Sequence, residues 1–150
     1  MSFYKRRRLI NFDYSTKGAY FITICTKNHE YLLWEEGAYS VDDGYRLSEY
    51  GKTIKFEIEN ISERYPTLKV DNYVIMPNHI HLILVNTSND VVDLCVAINQ
   101  TKGKITRKIG FSLWQPSFHD HIIRNDEEYE KIWNYIEYNP LKWNEDKYYI

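Results

Sequence analysis

Residues 70–85, VDNYVIMPNHIHLILV, decide the fold of this chain. Residues 70–76 and 79–85 are two runs rich in β-branched and apolar side chains, a composition typical of β-strands. Pro77 and Asn78 separate the two runs, and these residue types favour a tight turn. The stretch therefore predicts two strands joined by a tight antiparallel connection.

A strand and a helix are predicted upstream of this pair. Residues 18–26, GAYFITICT, are rich in aromatic and β-branched side chains with few polar ones, which indicates a central strand. From residue 47 onward, apolar side chains recur at the three- and four-residue spacing of one helix face. Pro66 marks the end of this helix. The apolar positions are Leu47, Tyr50, Ile54, Ile58, Ile61 and Tyr65.

A second helix is predicted after the strand pair. Ser88, Asn89 or Asp90 can cap its first turn, and Gly110 marks its end. Its apolar stripe consists of Val91, Leu94, Ile98, Ile105 and Ile109.

The last part of the chain predicts a strand and a third helix. Residues 114–123 are the candidate for a fourth strand. Asn125 or Asp126 then caps a helix that Pro140 stops. The buried side of this helix consists of Tyr129, Ile132, Trp133 and Ile136.

The predicted order of elements is βαββαβ followed by one helix. This is the split βαβ, or ferredoxin-like, arrangement, an α+β fold in which a four-stranded antiparallel sheet carries both crossover helices on one face. It places the first and third strands side by side in the middle of the sheet. With 150 residues, 43% hydrophobic and 16% aromatic, the chain suits a single domain over 1–150 and excludes a large multidomain enzyme or a disordered chain.

Charge is unevenly distributed along a chain whose formal net charge is only −2. The two basic clusters are a basic arm within about residues 1–12 and a group in the predicted second helix. Their members are Lys5, Arg6, Arg7 and Arg8 in the arm and Lys102, Lys104, Arg107 and Lys108 in the helix. Each cluster is either a solvated face or a phosphate-binding surface, and the net charge does not choose between these two interpretations.

Cysteine content and hydropathy give the expected compartment. Cys25 and Cys95 are the two cysteines and form no CxxC motif, so neither a disulfide framework nor a cysteine-rich zinc site is indicated. No apolar run approaches the ~20 residues of a membrane helix. The sequence therefore predicts a soluble cytoplasmic protein with no membrane partner.

His79 and His81 are the first candidates for chemistry. Because side chains alternate along a strand, both imidazoles are predicted on one face while Ile80 points to the other. Two imidazoles on a rigid strand can bind a divalent cation. The alternative is a pair of ordinary histidines, one hydrogen-bonded in the core and one solvated, and an HxH triplet alone does not decide between the two.

Tyr135 and Asn139 lie in the predicted third helix, four residues apart, so their side chains share one edge. If this helix packs beside the histidine strand, Asn139 can complete a His-His-Asn cation site while Tyr135 points at whatever the cation binds. The chain has 14 tyrosines, and most of them must be packing or surface residues. Spacing alone therefore does not single out Tyr135.

Four segments in combination resemble a known family. They are GAYFITICT at 18–26, MPNHIHL at 76–82, WQPSFHDHIIRNDEEY at 114–129 and YIEYNPLKW at 135–143. Together they resemble the single-tyrosine HUH transposases of the insertion-sequence-200-like family, and within it the REP-associated tyrosine transposases most closely. The resemblance covers nearly the whole chain.

The resemblance implies a role for each matching residue. The two histidines of the HUH motif match His79 and His81, the nucleophilic tyrosine matches Tyr135, and the polar metal ligand one turn later matches Asn139. His121 matches a histidine common in the REP-associated group, which implies a role beside the site or facing DNA. The family cleaves single-stranded DNA through a 5′-phosphotyrosine link and rejoins strands by the reverse attack, and it requires Mg²⁺ or Mn²⁺.

The resemblance also implies a DNA partner. In REP-associated relatives the N-terminal segment helps to read a short tetranucleotide beside a hairpin, so we expect the arm at Arg6 to Arg8 to take that task and the partner to be single-stranded DNA with a hairpin. The basic cluster of the second helix becomes a second candidate for phosphate contacts. By affinity alone, two nitrogen ligands and one oxygen ligand would also accept Zn²⁺, Co²⁺ or Ni²⁺. Both a monomer and a homodimer remain open.

Two other functions compete with strand transfer. One is a domesticated protein that binds DNA hairpins and retains the fold but little catalytic activity. The other is a small metal-dependent hydrolase that uses His79, His81 and either His119 or His121, in which metal-bound water attacks. Only strand transfer requires Tyr135 to form a covalent bond with DNA.

Overall fold

The computed structural model describes residues 18–36, 46–88 and 93–140. Its single sheet has the order β2-β3-β1-β4, with every neighbouring pair antiparallel. The strands are β1 (Gly18–Cys25), β2 (Leu68–Ile75), β3 (His79–Asn86) and β4 (His119–Ile123). The predicted α+β fold is confirmed, with β1 and β3 in the middle of the sheet.

The helices lie on both faces of this sheet. They are α1 (Glu49–Glu59), α2 (Ile61–Arg64), α3 (Leu94–Ile109) and α4 (Asp126–Tyr138). The crossover helices α1 and α3 pack on one face, and α4 packs on the other, where it contacts β2 and β3. In the parts of the chain described here, no helix is long and apolar enough to cross a membrane.

Side-chain alternation divides the sheet into two apolar clusters. Ile22 and Leu82 are paired across β1 and β3 and pack beneath α1 and α3. Phe21 and Ile83, one position along each strand, pack beneath α4. Because both faces of the two central strands are covered, their sequences are almost continuously apolar, as is typical of strands buried on both sides.

The first predicted helix is divided in two. α1 ends at Glu59 and α2 begins at Ile61, whereas the apolar spacing predicts one continuous helix. Asn60 lies between them with φ −104° and ψ 9°, and its side-chain amide donates to the Phe56 carbonyl at 2.8 Å. An asparagine side chain that bonds to nearby backbone groups competes with helix continuation.

The second helix begins later than predicted. Asp93 caps α3 by accepting a hydrogen bond from the Cys95 backbone N–H at 2.7 Å. Ser88 is too far upstream to be the cap, and Asn89 and Asp90 lie outside the described residues. The predicted end is confirmed, because Gly110 adopts the left-handed conformation with φ 96°, which glycine adopts without steric cost.

The fourth strand is shorter than predicted. Its first five predicted residues, 114–118, precede β4, and Trp114 makes only an isolated bridge to Thr26. Asn125 is confirmed as the cap of α4, since its side chain accepts from the Glu128 backbone N–H at 2.8 Å. This cap fixes the start of the helix that carries Tyr135.

Gly51 lies where the first turn of α1 meets the segment that supports the β2–β3 turn. A Cβ atom at this position would lie 2.3 Å from the Leu33 carbonyl oxygen. That carbonyl accepts from the Ser48 N–H at 2.9 Å, and the Leu33 N–H donates to the Pro77 carbonyl at 3.0 Å. The backbone of Leu33 therefore has little freedom to move away.

We expect Gly51→Ala to lower the free energy of unfolding by roughly 1–3 kcal/mol, the usual cost of an overpacked site, measured by urea denaturation. Gly103→Ala in α3 is the matched control, because its Cβ would meet only the flexible end of Arg107 at 3.3 Å. Alanine is the better helix former, so the control should be neutral or slightly stabilising. Equal stability of Gly51→Ala and the wild type would contradict the close approach.

Candidate active site

His79 and His81 lie on β3 with both side chains fully buried. Their ring centroids are 4.5 Å apart. In the sheet they pair with Cys25 and Thr23 of β1, on the face that α4 covers. The two imidazoles are therefore neighbours on the face that the alternation predicts.

Oxygen atoms contact the Nδ1 atom of both imidazoles. His79 Nδ1 is 2.7 Å from Asn78 Oδ1, and His81 Nδ1 is 2.8 Å from the Thr23 hydroxyl. Since an amide oxygen only accepts hydrogen bonds, the His79 ring donates from Nδ1 in this contact. Histidines that bind metals are usually oriented by such a contact at the other ring nitrogen.

Asn78 is itself held in place by the segment after β1. Its side-chain amide donates to the His29 carbonyl at 3.4 Å, and its backbone carbonyl accepts from the Thr26 N–H at 2.9 Å. The sequence pattern indicates a turn at Asn78 and assigns no role to Thr23. The position of Asn78 directly before the HxH triplet was the available signal, whereas the role of Thr23 depends on strand register.

Tyr135 lies on α4 with its ring against the histidine face. Its ring centroid is 5.3 Å from that of His81 and 6.1 Å from that of Phe21, which it meets edge-on. Phe21 in turn stacks on His81 at 5.2 Å. The structure thus brings Tyr135 and the two histidines together, and the edge-on contact with Phe21 is one of the contacts between α4 and this face.

Asn139 follows α4 as its C-terminal cap and is almost fully buried. Its side-chain nitrogen has no hydrogen-bond partner within the described segments. A buried amide with unused hydrogen-bonding capacity is uncommon in folded proteins. The amide oxygen is the atom of Asn139 that could bind a cation, whereas the atom without a partner is the donor nitrogen.

If His79 and His81 bind a divalent cation, a third ligand from the described residues is not an acid, a thiol or an imidazole. Across residues 18–36, 46–88 and 93–140, no three His, Cys, Asp or Glu side chains are grouped so as to bind a metal. An amide oxygen such as that of Asn139 remains available as the third ligand. The same finding disfavours a hydrolase site completed by His119 or His121.

His119 and His121 lie on β4, at the edge of the sheet. They pair with Thr23 and Phe21, so both belong to the face that carries the other two histidines. His121 Nε2 is 2.9 Å from Glu128 Oε1 on α4, and this carboxylate also accepts from the Arg124 N–H at 3.0 Å. His121 therefore links β4 to the first turns of the helix that carries Tyr135.

The pKa of Glu128 reflects this contact. Burial raises it, but the hydrogen bond from the Arg124 backbone and the hydrogen bond and charge of His121 outweigh burial, so the pKa lies below its ordinary value of 4.5. A carboxyl group whose pKa is lower in the folded state than in the unfolded state stabilises the fold at pH values above the unfolded-state pKa. This contribution disappears as the pH falls through the folded-state pKa.

We therefore expect Glu128→Gln to be less stable than the wild type near neutral pH, with the difference shrinking as the pH falls below 4.5. Urea unfolding of both proteins across this range measures it. A stability difference that stays constant into acid would show that the ionised carboxylate contributes nothing.

The basic residues of α3 lie across the sheet from the histidines, because α3 packs on the opposite face. The predicted phosphate contact of Lys102 is wrong. This side chain is only 7% exposed, and its ammonium donates to the Gln115 and Ser117 carbonyls at 2.9 and 3.3 Å. Lys104 is half-buried and Arg107 is exposed. Arg6, Arg7 and Arg8 lie outside the described residues.

Three relatives are similar to the chain in sequence, whereas no protein-family model matches it. An uncharacterized protein of Haemophilus influenzae is 31% identical over 95% of this chain and 91% of that protein. A second protein of this organism, provisionally named a REP-associated tyrosine transposase, is 27% identical over 95% of this chain and 77% of its own length. A REP-associated tyrosine transposase of Escherichia coli is 32% identical over 49% of this chain and 45% of its own length.

One solved structure supports the fold independently. A REP-associated tyrosine transposase bound to a REP hairpin matches with a TM-score of 0.68 at 24% identity, over 98% of this chain and 77% of that chain. At this identity the match establishes the shared fold.

Proposed function

Because the chain belongs to the family of REP-associated tyrosine transposases, we propose that it cleaves and rejoins single-stranded DNA with Tyr135 as the nucleophile. In this proposal His79, His81 and Asn139 bind Mg²⁺ or Mn²⁺, and the substrate carries a hairpin beside the cleaved strand. The protein acts in the cytoplasm, as a monomer or a homodimer.

The proximity of Tyr135 to His81, with ring centroids 5.3 Å apart, is the observation that carries the proposal. A phosphodiester resists attack because its oxygens are negatively charged, and a divalent cation bound beside it neutralises that charge. The oxygen contacts at Nδ1 orient both imidazoles. Tyr135 is then placed close to the phosphate that such a site would bind.

Tyr135 performs the covalent step. Its hydroxyl oxygen attacks phosphorus, the bond from phosphorus to the 3′ oxygen breaks, the phenol loses its proton, and the departing 3′ oxygen gains one. A tyrosine has an ordinary pKa of ~10, so the proton must leave during the attack. The 5′-phosphotyrosine bond keeps the strand reactive, and attack by a 3′-hydroxyl restores the phosphodiester and the phenol.

Basic residues away from the site would bind the rest of the DNA. The arm with Arg6, Arg7 and Arg8 is proposed to read the nucleotides beside the hairpin. Lys104 and Arg107 of α3 could contact phosphates only of a strand that passes around to the opposite face of the sheet. Lys102 has no place in this interface, because its ammonium is bound to backbone carbonyls.

Formation of a covalent adduct tests this proposal. The protein is incubated with hairpin-bearing single strands and Mn²⁺, with a parallel sample in EDTA, and both are analysed on a denaturing gel. Strand transfer predicts a protein–DNA band that requires the metal. Tight binding without an adduct would favour a domesticated hairpin-binding protein, and cleaved DNA without an adduct would favour a hydrolase.

Asn78 provides a prediction about the metal ligands themselves. Asn78→Ala removes the acceptor that orients His79, and loss of such an orienting group typically lowers metal affinity by roughly 10–100-fold. Calorimetric titration with Mn²⁺ measures this affinity. Asn78→Asp keeps an acceptor oxygen beside Nδ1 and should retain most of the affinity, whereas equal affinities of Asn78→Ala and the wild type would contradict the role.

A further inference from the structure

A β-bulge in β2 places two consecutive polar side chains against α4. Val70 pairs with Leu84 and Asn72 with Ile83, so Asp71 is an extra residue between them. In a regular strand, consecutive side chains point to opposite faces. Here both Asp71 and Asn72 reach α4, where they contact Tyr129 and Glu137.

We propose that Asp71 is a positioning residue for DNA cleavage, holding α4 through Tyr129 in the orientation that brings Tyr135 to the His79–His81 pair. This inference rests on the proposed function. Bulges often re-aim a side chain next to a functional site. Neither Asp71 nor Tyr129 needs to touch DNA, because both act through the placement of the helix.

The contact between Tyr129 and Asp71 is suited to this task. The Tyr129 hydroxyl donates to Asp71 Oδ2 at 2.5 Å in a partly buried position, and Lys69 Nζ lies 3.5 Å from Oδ1. Hydrogen bonds to an ionised group are stronger than neutral ones. Burial, followed by the hydrogen bond and charge of Asp71, raises the pKa of Tyr129 to about 12, so this phenol keeps its proton at any pH used for an assay.

The two contacts with β2 lie on either side of Tyr135 along α4. Tyr129 precedes Tyr135 by about 9 Å of helix and Glu137 follows it by about 3 Å, at 1.5 Å per residue. Asn72 donates to Glu137 at 3.0 Å in an exposed position, where solvent competes for the bond, so the partly buried Asp71 contact is the stronger restraint. An error of 1 Å in the placement of a reacting group can cost about 10²-fold in rate.

The test separates cleavage rate from binding and folding. We expect Tyr129→Phe and Asp71→Ala to slow single-turnover adduct formation at saturating hairpin DNA and Mn²⁺ by roughly tenfold or more, with the Kd for DNA within about twofold of the wild type. Asp71→Asn retains an oxygen that accepts from Tyr129 and should recover most of the rate. Tyr65→Phe is the matched control, because it removes a phenol that bonds to Gln100 on the opposite face.

Several outcomes would overturn the inference. Adduct formation at the wild-type rate in Tyr129→Phe would do so. An equal loss of rate in Tyr65→Phe, at an equal loss of Tm, would also do so. If the wild type itself forms no adduct, the proposed function fails and hydrogen exchange decides the positioning role separately. Tyr129→Phe should then lower the protection of α4 amides around Tyr135 by roughly tenfold relative to α3, and unchanged protection would exclude the restraint.

Discussion

Tyr135→Phe should abolish the covalent protein–DNA adduct while the protein still binds its hairpin substrate. Phenylalanine retains the ring that packs against His81 and Phe21 but lacks the oxygen that would bond to phosphorus. Loss of a nucleophile lowers the rate by roughly 10³-fold or more. The adduct is measured on denaturing gels and the Kd for DNA by fluorescence anisotropy, and Kd should change by no more than about threefold, a small free-energy difference.

Tyr138→Phe is the matched control for this variant. Tyr138 lies on the same helix, three residues later, but 57% of it is exposed, and no ring contact with the histidines involves it within the described residues. The control should form adduct at the wild-type rate. An adduct that persists in Tyr135→Phe would assign the nucleophile to another residue, and an equal loss in both variants would indicate damage to α4.

His81→Ala should remove metal-dependent cleavage. His81 is fully buried, oriented by Thr23, and the imidazole closest to Tyr135 among the contacts described here. If it binds the cation, its loss removes several kcal/mol of charge stabilisation in the transition state, or roughly 10³-fold in rate. Adduct formation over a range of Mn²⁺ concentrations, together with calorimetric Mn²⁺ binding, gives the rate and the affinity separately.

His119→Ala is the control that separates strand transfer from hydrolysis. His119 lies on the same face of the sheet, but on the edge strand β4, where it pairs with Thr23. Strand transfer predicts that adduct formation in this variant is close to that of the wild type. A strong metal-dependent adduct in His81→Ala, or its loss in His119→Ala with the fold intact, would contradict the assignment of ligands.

Much of the architecture follows from local patterns in the sequence. Strand alternation predicted His79 and His81 on one face, because a period of two is imposed by the backbone itself. The apolar stripe that contains Ile132 and Ile136 predicted the buried face of α4, and Asn125 predicted its start. These features depend only on residues close in the chain, so the sequence was sufficient for them.

The contacts that align the site depend on residues distant in the chain. Thr23 meets His81 only through the register of β1 and β3, and hydrophobic alternation alone does not assign a partner to each residue. The extra residue at Asp71 interrupts the alternation without any marker such as glycine or proline. The helix break at Asn60 was missed because Ile58 and Ile61 continue the same apolar stripe across it.

The basic cluster of α3 shows a second limit of sequence reasoning. Lys102, Lys104 and Arg107 lie close together in the chain, yet one ammonium is buried against backbone carbonyls and one guanidinium is exposed. A long side chain can bury its stem and even its charge where carbonyl oxygens compensate. The density of basic residues along the sequence therefore does not predict which basic side chains are exposed to a ligand.

Mapping the attachment site on the protein tests the central claim most directly. The adduct formed with a hairpin-bearing single strand and Mn²⁺ is digested with nuclease and protease, and the modified peptide is sequenced by tandem mass spectrometry. We predict a 5′-nucleotide on the phenolic oxygen of Tyr135 and none in samples that contain EDTA. A nucleotide on any other residue, or a full yield of adduct without a divalent cation, would contradict the account.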